Sequence, residues 1–357
     1  MRFVHLADMH FDTAFSLLSS KADFGNVRRL EQRNIFSSAI DFIKNNNIPY
    51  FFISGDLYEQ KYIRQTTIEF INNLFKSIPN TKIFIAPGNH DPFLKNSFYN
   101  TFNWSNNVHI FNSNIEKIET EDANIYGFGF SDFYCSNSPI DLIGNLDKSK
   151  LNILVIHGAL DGSTQLDLQY NSMSSKKLNE LGFDYVALGH IHKTNFYDAK
   201  YSNIIYPGST ISLGFDEPGE HGIVDGVLTK SNLELNFIKL DNKCFVEKEL
   251  DISNVNSEEE LIELLNSFSS DENILYKIIL TGTNNFEINI YNIFKLISNN
   301  CILKIKNCTH TSFNLDEISK EPNLKGLFVK NMLNKLNNEP NNKDEILKAI
   351  EIGLDVF

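Results

Sequence analysis

The chain reads as an α/β protein in which two packed mixed β-sheets are flanked by helices, followed by a small C-terminal α+β domain and terminal helices. Three observations predict this. Apolar, β-branched runs alternate with segments of helical period through about residue 90. Past residue 105 the pattern becomes mostly β, with short apolar runs separated by turn residues. Near residues 245–256 it shifts again, to a region with none of the polar motifs of the first part. At 357 residues the chain exceeds one average domain, and we place the boundaries at 1–245, 246–320 and 321–357.

The first strand covers 3–8, and a helix follows over 27–44 with Leu30, Ile35, Ala39 and Phe42 or Ile43 facing inward. A strand at 50–56 leads to a helix at 63–78, where Ile68, Ile71, Leu74 and Phe75 recur at helical spacing and Pro79 stops it. A third strand covers 82–86. Short strands are expected at 108–111, 115–118, 124–130, 151–157 and 185–189, with more between 203 and 250. Residues 131–150 and 164–175 read as loops. Beyond the shift, Ser257 and three following Glu residues open a helix over 257–268, because acidic side chains favour a helix N-terminus. A strand at 274–280, a helix at 286–297 and a strand at 301–308 complete the small domain. Leu324, Leu327, Phe328, Met332, Leu333 and Leu336 then recur at helical spacing. Ile346, Leu347, Ile350 and Leu354 do so again after a break at Glu339-Pro340. These stripes either pack on residues 245–320 or dock on a partner's coiled coil.

Composition excludes several classes. The four cysteines show no CxxC spacing, which argues against a disulfide framework or a thiolate metal site. The opening MRFVHLAD runs straight into a strand, leaving no room for a signal peptide, and no apolar run approaches the ~18 residues of a membrane span. The expectation is a cytoplasmic protein without a membrane partner. A net charge of −13 argues against strong non-specific nucleic-acid binding by this chain alone, although part of it belongs to a site whose sign cations would reverse.

The chemistry is concentrated in five segments: Asp8-Met9-His10, Gly55-Asp56, Gly88-Asn89-His90-Asp91, His157-Gly158 and Gly189-His190-Ile191-His192. Each ends an apolar run, and strand ends followed by Gly-containing turns are where α/β proteins collect reactive side chains. An oxygen and imidazole donor set without Cys suits Mn²⁺, Fe²⁺ or Zn²⁺ better than Ca²⁺. Two cations roughly 3.5–4 Å apart require a bridging carboxylate, and Asp56 is the natural candidate. Asp8, His10 and a distal His would complete one ion; Asn89, His157 and another distal His the second. His90 lies beside a ligand and is suited to protonate the departing oxygen, with Asp91 fixing its tautomer.

Taken singly, Asp-x-His, Gly-Asp or GNHD is explained by a turn or a satisfied polar pair. All five, in this order and each after a strand, are not. His5, His109, His221 and His310 match no motif and read as ordinary histidines. Asp12 and Glu59 read equally as supports of the ligands or as solvated loop residues. Arg28, Arg29 and Arg33 could meet phosphates, but a solvated helix face fits them better.

The series resembles that of the calcineurin-like metallophosphoesterases. Tyr206-Pro207-Gly208-Ser209-Thr210 and Ser212-Leu213-Gly214-Phe215-Asp216-Glu217-Pro218-Gly219 resemble the DNA repair nucleases of the SbcD type within that group. Asp8-Met9-His10-Phe11-Asp12 is most similar to a Firmicute YhaO-like branch, and weaker similarity extends to 324–336 and 349–355. The resemblance implies one ion on Asp8, His10, Asp56 and His192, and another on Asp56, Asn89, His157 and His190, with Mn²⁺ activating and His90 catalytic. It further implies 3′→5′ exonuclease action on double-stranded DNA and endonuclease action on single strands or hairpins. The implied assembly is a homodimer joined to an SbcC- or SMC-type ATPase through the C-terminal end, nucleoid-associated when on DNA. Glu59 stands where some members carry a His, a departure that bears on exonuclease efficiency and not on metal binding. A small-molecule phosphodiesterase or phosphatase, and a scaffold subunit for the ATPase, are the competing functions.

Overall fold

The computed structural model describes residues 1–15, 24–162, 167–311, 315–339 and 342–354. Residue 340, at the expected break between the terminal helices, lies outside them, as do residues 164–166 of the second expected loop and residue 355. Two compact units emerge: Met1–Val246 with Asp271–Leu275, and Glu247–Ser270 with Tyr276–Phe357.

In the first unit, β1 (Arg2–Leu6), β2 (Tyr50–Ile53), β3 (Lys82–Ile85) and β4 (Val108–Ile110) run parallel, and their register carries one βα repeat into the next. The later strands β10 (His221–Leu228) and β11 (Leu233–Asp241) extend this sheet antiparallel beyond β1, giving the order β11-β10-β1-β2-β3-β4. A second sheet has the order β5 (Glu116–Glu119), β6 (Ala123–Phe128), β7 (Leu151–His157), β8 (Tyr185–Gly189), β9 (Ile204–Ile205), with only β5 antiparallel to its neighbour. Both sheets are therefore mixed, as the sequence pattern predicts.

Strand alternation builds the layers. Phe3, Tyr50, Phe52 and Phe84 of the first sheet meet Ile125, Ile153, Val155, Tyr185 and Ala187 of the second in one buried core. The intervening Val4, Leu6, Phe51, Ile53 and Ile83 face α1 (Phe24–Asn45) and α2 (Gln65–Lys76). On the far side of the second sheet, Leu154, Ile156, Val186 and Leu188 pack with Ile140, Met173 and Leu178. A short α3 (Phe98–Thr101) follows β3, and α4 (Ser175–Leu181) precedes β8.

Several details depart from the sequence reading. The stripe α1 buries is Arg28, Gln32, Ile35, Phe36, Ala39, Ile40 and Ile43, and Leu30, most of a half-turn away from it, is 61% exposed. Arg28 is not on a solvated face: it donates to Asp241 Oδ2 at 2.6 Å and Ser212 O at 2.8 Å, and pairs with Glu31. Arg33 donates to Thr67 Oγ1, and Arg29 to Asn26 and the carbonyls of Thr13 and Ala14. The first expected loop contains a 3₁₀ turn, Pro139–Leu142, whose cap Ser138 accepts from Ile140 N. The second gives way to α4, capped by Ser174.

In the second unit, β12 (Cys244–Asp251), β13 (Ile274–Thr281) and β15 (Ile302–Asn307) form a three-stranded sheet, and β14 (Thr283–Asn284) pairs with β16 (His310–Thr311). Helices α5 (Glu258–Asn266) and α6 (Ile290–Leu296) bury Leu261, Leu265 and Ile293 against Ile278, Leu280 and Ile302. Ser257 caps α5 by accepting from Glu260 N. Asn289 caps α6, which begins at Ile290, later than expected, after bends and irregular chain over residues 285–289. Helices α7 (Leu315–Ile318), α8 (Leu324–Asn338) and α9 (Lys343–Leu354) share their own cluster, with Val329, Phe328, Met332 and Leu336 meeting Ile346, Leu347, Ile350 and Leu354. Leu324 and Leu327 stay exposed. Among the described residues no helix is long and apolar enough to cross a membrane.

Candidate metal centre

The C-terminal ends of the parallel strands of both sheets converge on one place. Asp8 and His10 follow β1, Asp56 follows β2, and Asn89 and His90 follow β3; His157 ends β7, and His190 and His192 follow β8. The chain turns sharply there. Asp8, His10 and Asp56 lie at φ of 50°, 49° and 51°, and His190 at 106°. Left-handed backbone at non-glycine residues costs energy and persists only where surrounding contacts over-determine it. Those contacts are present: Asp8 N donates to Gly55 O, His10 N to Asp56 O, His90 N to Asp56 Oδ1 and His190 N to both Asp8 carboxylate oxygens.

Two glycines of the motifs are required sterically. Gly55 takes φ +88°, and a Cβ there would stand 2.4 Å from His157 Nδ1. A Cβ on Gly189 would stand 1.9 Å from Ser54 O. That carbonyl receives His157 Nδ1 at 2.8 Å, so the small residues let the two sheets close around one imidazole.

Two donor groups result, with Asp56 belonging to both. His10 Nε2 is 3.7 Å from Asp56 Oδ2 and 3.1 Å from His192 Nε2, and Asp8, His10 and His192 bring ligand atoms within 4.8 Å of one another. On the other side His157 Nε2 is 3.3 Å from Asp56 Oδ2 and 3.0 Å from Asn89 Oδ1, with His190 Nδ1 3.3 Å from that same amide oxygen. Asp8, Asp56 and His157 form a second group of metal-ligating type, and His10, Asp56 and the exposed His90 a third.

The hydrogen bonds on the outer nitrogens show that these groups fit cations. His10 Nδ1 donates to Glu59 Oε1 at 2.8 Å, His192 Nδ1 to Glu217 Oε1 at 2.5 Å and His157 Nδ1 to Ser54 O. With Nδ1 carrying the proton, each neutral ring points an Nε2 lone pair inward. Lone pair then faces lone pair between His10 and His192, and between His157 and the Asn89 and Asp56 oxygens. Only a proton or a cation in between relieves that. The protonation pattern agrees: burial lowers His157 and His192, but Asp56 for the first and Glu217 with Asp8 for the second outweigh it and raise both to about 9. Burial raises Asp8, whereas Asp56, despite burial, is held well below the usual range, foremost by His157. Burial and the neighbouring His157 bring the partly buried His190 down to about 3, so the neutral ring keeps one nitrogen lone pair available.

His90 stands at the rim with its side chain 45% exposed. Its Nδ1 bonds Glu59 Oε2 at 3.0 Å, so one carboxylate holds both His10 and His90. Burial opposes the charge on His90, but the Glu59 hydrogen bond and the Asp56 charge raise it to about 9; the two imidazoles bring Glu59 down to about 2. Asp91 does not fix the His90 tautomer. Its buried carboxylate accepts from the backbone N–H groups of Asp56, Leu57 and Gly88 and from Tyr99 Oη, which braces the turn carrying Asp56. Burial and the Asp56 charge raise it to about 7. Asp12 supports from further out, accepting from Arg64 N and Thr67 Oγ1 at the start of α2.

Glu217, which the sequence offers only as part of a motif, holds His192 and accepts from Ser209 Oγ and Leu213 N. Ser209 N donates to His192 O, and Tyr206 Oη to Gly158 O. Its spacing from His192 gives no sequence signal, since a loop fold brings them together. Of the unmatched histidines, His5 is buried between Tyr185 Oη and Ser54 Oγ, His221 bonds Ser209 and Glu217 O, and His109 pairs with Glu116.

Comparison with known proteins agrees with this geometry. Over 306 aligned residues, covering 79% of this chain and 72% of the relative, the chain is 23% identical to an uncharacterized metallophosphoesterase, YhaO, of Bacillus subtilis (strain 168). Residues 1–194, which contain every strand end that feeds the centre, match the calcineurin-like phosphoesterase family. With more than half its length matched and divalent-metal donors gathered at those strand ends, the chain belongs to the calcineurin-like phosphoesterases and is a metal-dependent phosphoester hydrolase.

Proposed function

We propose that the chain is a Mn²⁺-dependent DNA nuclease of the SbcD type, cleaving duplex ends 3′→5′ and single strands or hairpins internally. The observation that carries this reading is that both segments of the narrower resemblance support the centre: Tyr206 and Ser209 hold the strand-end loops, and Glu217 holds His192. An exposed His90 at the rim is also accessible to a phosphodiester within a polymer. In this reading Asp8, His10, Asp56 and His192 hold one ion, and Asp56, Asn89, His157 and His190 the other. The ions supply Lewis-acid activation of the phosphate and of water at neutral pH. Asp56 would serve both ions, Asn89 would contribute oxygen without further negative charge, and His90, held by Glu59, would deliver a proton to the departing oxygen.

The proposed assembly is a homodimer bound to an SMC-like ATPase, with exposed Leu324 and Leu327 of α8 as the contact that the α8–α9 pairing leaves over. The test is incubation of the chain with Mn²⁺ and end-labelled duplex, hairpin and a chromogenic phosphodiester. Nucleotides released from the duplex 3′ end are expected. Hydrolysis of the small diester with every DNA left intact would replace this reading with a small-molecule phosphodiesterase, which the net charge of −13 favours. A scaffold role alone leaves the converging donors without a purpose.

A further inference from the structure

Two loops beside the centre are fastened together outside either sheet. Cys135 and Tyr170 form a parallel bridge, in which Cys135 N donates to Gln169 O at 2.8 Å and Asn171 N to Cys135 O at 2.7 Å. The second loop is tied in turn to the end of β7: Ala159 N donates to Tyr170 O at 3.0 Å and Asn171 Nδ2 to His157 O at 2.7 Å. This fastening sets three rings in a row. Tyr134 lies 5.9 Å from Tyr170 with planes 30° apart, and Tyr170 lies 5.0 Å from His190 at 40°. Tyr170 is half-buried, whereas Tyr134 is 60% exposed and the adjacent Phe133 43%. Phe133 and Tyr134 are adjacent exposed aromatics beside the centre, a grouping rather than a scattered single side chain.

We propose that Tyr134, backed by Tyr170, offers its outer face as a stacking platform for one nucleobase of a strand whose phosphate faces the Asp56 cluster; this rests on the nuclease reading above. The row of rings begins on His190 itself, so its outer members stand where the base next to a phosphate at the centre would lie. Every base offers a π-face, and stacking on aromatic side chains is tolerant of sequence. A chain of net charge −13 has little phosphate-tracking attraction to rely on, so contact with base faces takes on more of the affinity.

The test uses the full chain with Mn²⁺ and a phosphorothioate-linked, cleavage-resistant single-stranded hexamer carrying 2-aminopurine, alongside the same hexamer abasic at that position. Binding should quench 2-aminopurine, and the base-bearing hexamer should bind about 5- to 150-fold more tightly than the abasic one, the worth of one base–aromatic stack. Tyr134→Ala, at an exposed position, should remove the quench and bring the two affinities together, and Tyr134→Phe should restore both. Tyr197→Ala, at another exposed tyrosine, which packs on Phe196 and Phe237, should keep both. Equal binding of the two hexamers, or undiminished quenching by Tyr134→Ala, overturns the platform. Cleavage of the unmodified hexamer is scored separately. Cleavage without quenching removes the platform and leaves the nuclease reading; quenching without cleavage removes the nuclease reading and leaves a nucleotide-binding face.

Discussion

Replacing Glu59 tests the supporting half of the centre. Its two oxygens serve different rings, Oε1 taking His10 Nδ1 at 2.8 Å and Oε2 taking His90 Nδ1 at 3.0 Å, with the side chain 14% exposed. Glu59→Ala removes both bonds. A hydrogen bond to a charged group is worth about 1.5–3 kcal/mol. Losing the one to His10 therefore predicts a roughly 10- to 100-fold drop in affinity for the ion that ring serves, in line with the usual effect of removing an outer-shell partner. On the proposed role of His90 as proton donor, losing its bond should lower kcat even when metal is saturating, because the ring is no longer held in place. Glu59→Gln separates the two: the amide has one acceptor oxygen and can serve one ring only, so the variant should fall between wild type and Ala. Mn²⁺ titration by calorimetry into EDTA-stripped protein reads the first effect, and kcat on a chromogenic phosphodiester at saturating Mn²⁺ reads the second. An Ala variant with wild-type affinity and turnover within about twofold would make Glu59 a bystander and refute the reasoning.

Asp56→Asn removes the charge shared by both donor groups and should abolish turnover on every phosphodiester; EDTA should do the same to wild type, with Mn²⁺ restoring it, and full activity in metal-free protein would end the two-ion account. His90→Ala should keep both ions while slowing turnover by roughly 10²- to 10⁴-fold; metal analysis showing an ion lost would make His90 a ligand. His5→Ala should leave Tyr185 Oη and Ser54 Oγ short of a partner and lower stability by about 1–3 kcal/mol, read by denaturant unfolding. Because burial depresses His5 to about 3, its contribution is complete above its unfolded value near 6.5 and is lost as pH falls toward 3, by at most about 1.4 kcal/mol per pH unit. His5→Gln should remove that component from the stability–pH curve, and an unchanged curve would refute the assignment.

What was legible in the sequence follows from how local each signal is. The residues that converge each close an apolar, β-branched run, with a glycine alongside in every segment but that of Asp8 and His10, so strand alternation and turn chemistry announce them one by one. Their partners do not announce themselves. Glu217 reaches His192, and Ser54 O reaches His157, only after separate loops and sheets have met. Asp91 shows the opposite failure: adjacency to His90 suggests a partnership, but its turn aims the carboxylate at backbone N–H groups instead. Likewise, treating α1 as solvated along Arg28 overlooks a distant acid, since Asp241 of β11 is what makes burying that guanidinium tolerable.

Neither sheet owns a complete set of donors. The first supplies Asp8, His10, Asp56 and Asn89, and the second supplies His157, His190 and His192, which come later in the chain. A chain that has made only its opening βα repeats thus carries Asp8, His10, Asp56 and Asn89 without the three imidazoles of residues 157–192. The full donor set exists only once residues 157–192 of the second sheet stand beside those that follow β1, β2 and β3. A copy folded only through its first repeats would lack three of the seven donors, so for an enzyme that hydrolyses phosphoesters, folding itself would act as the safety catch.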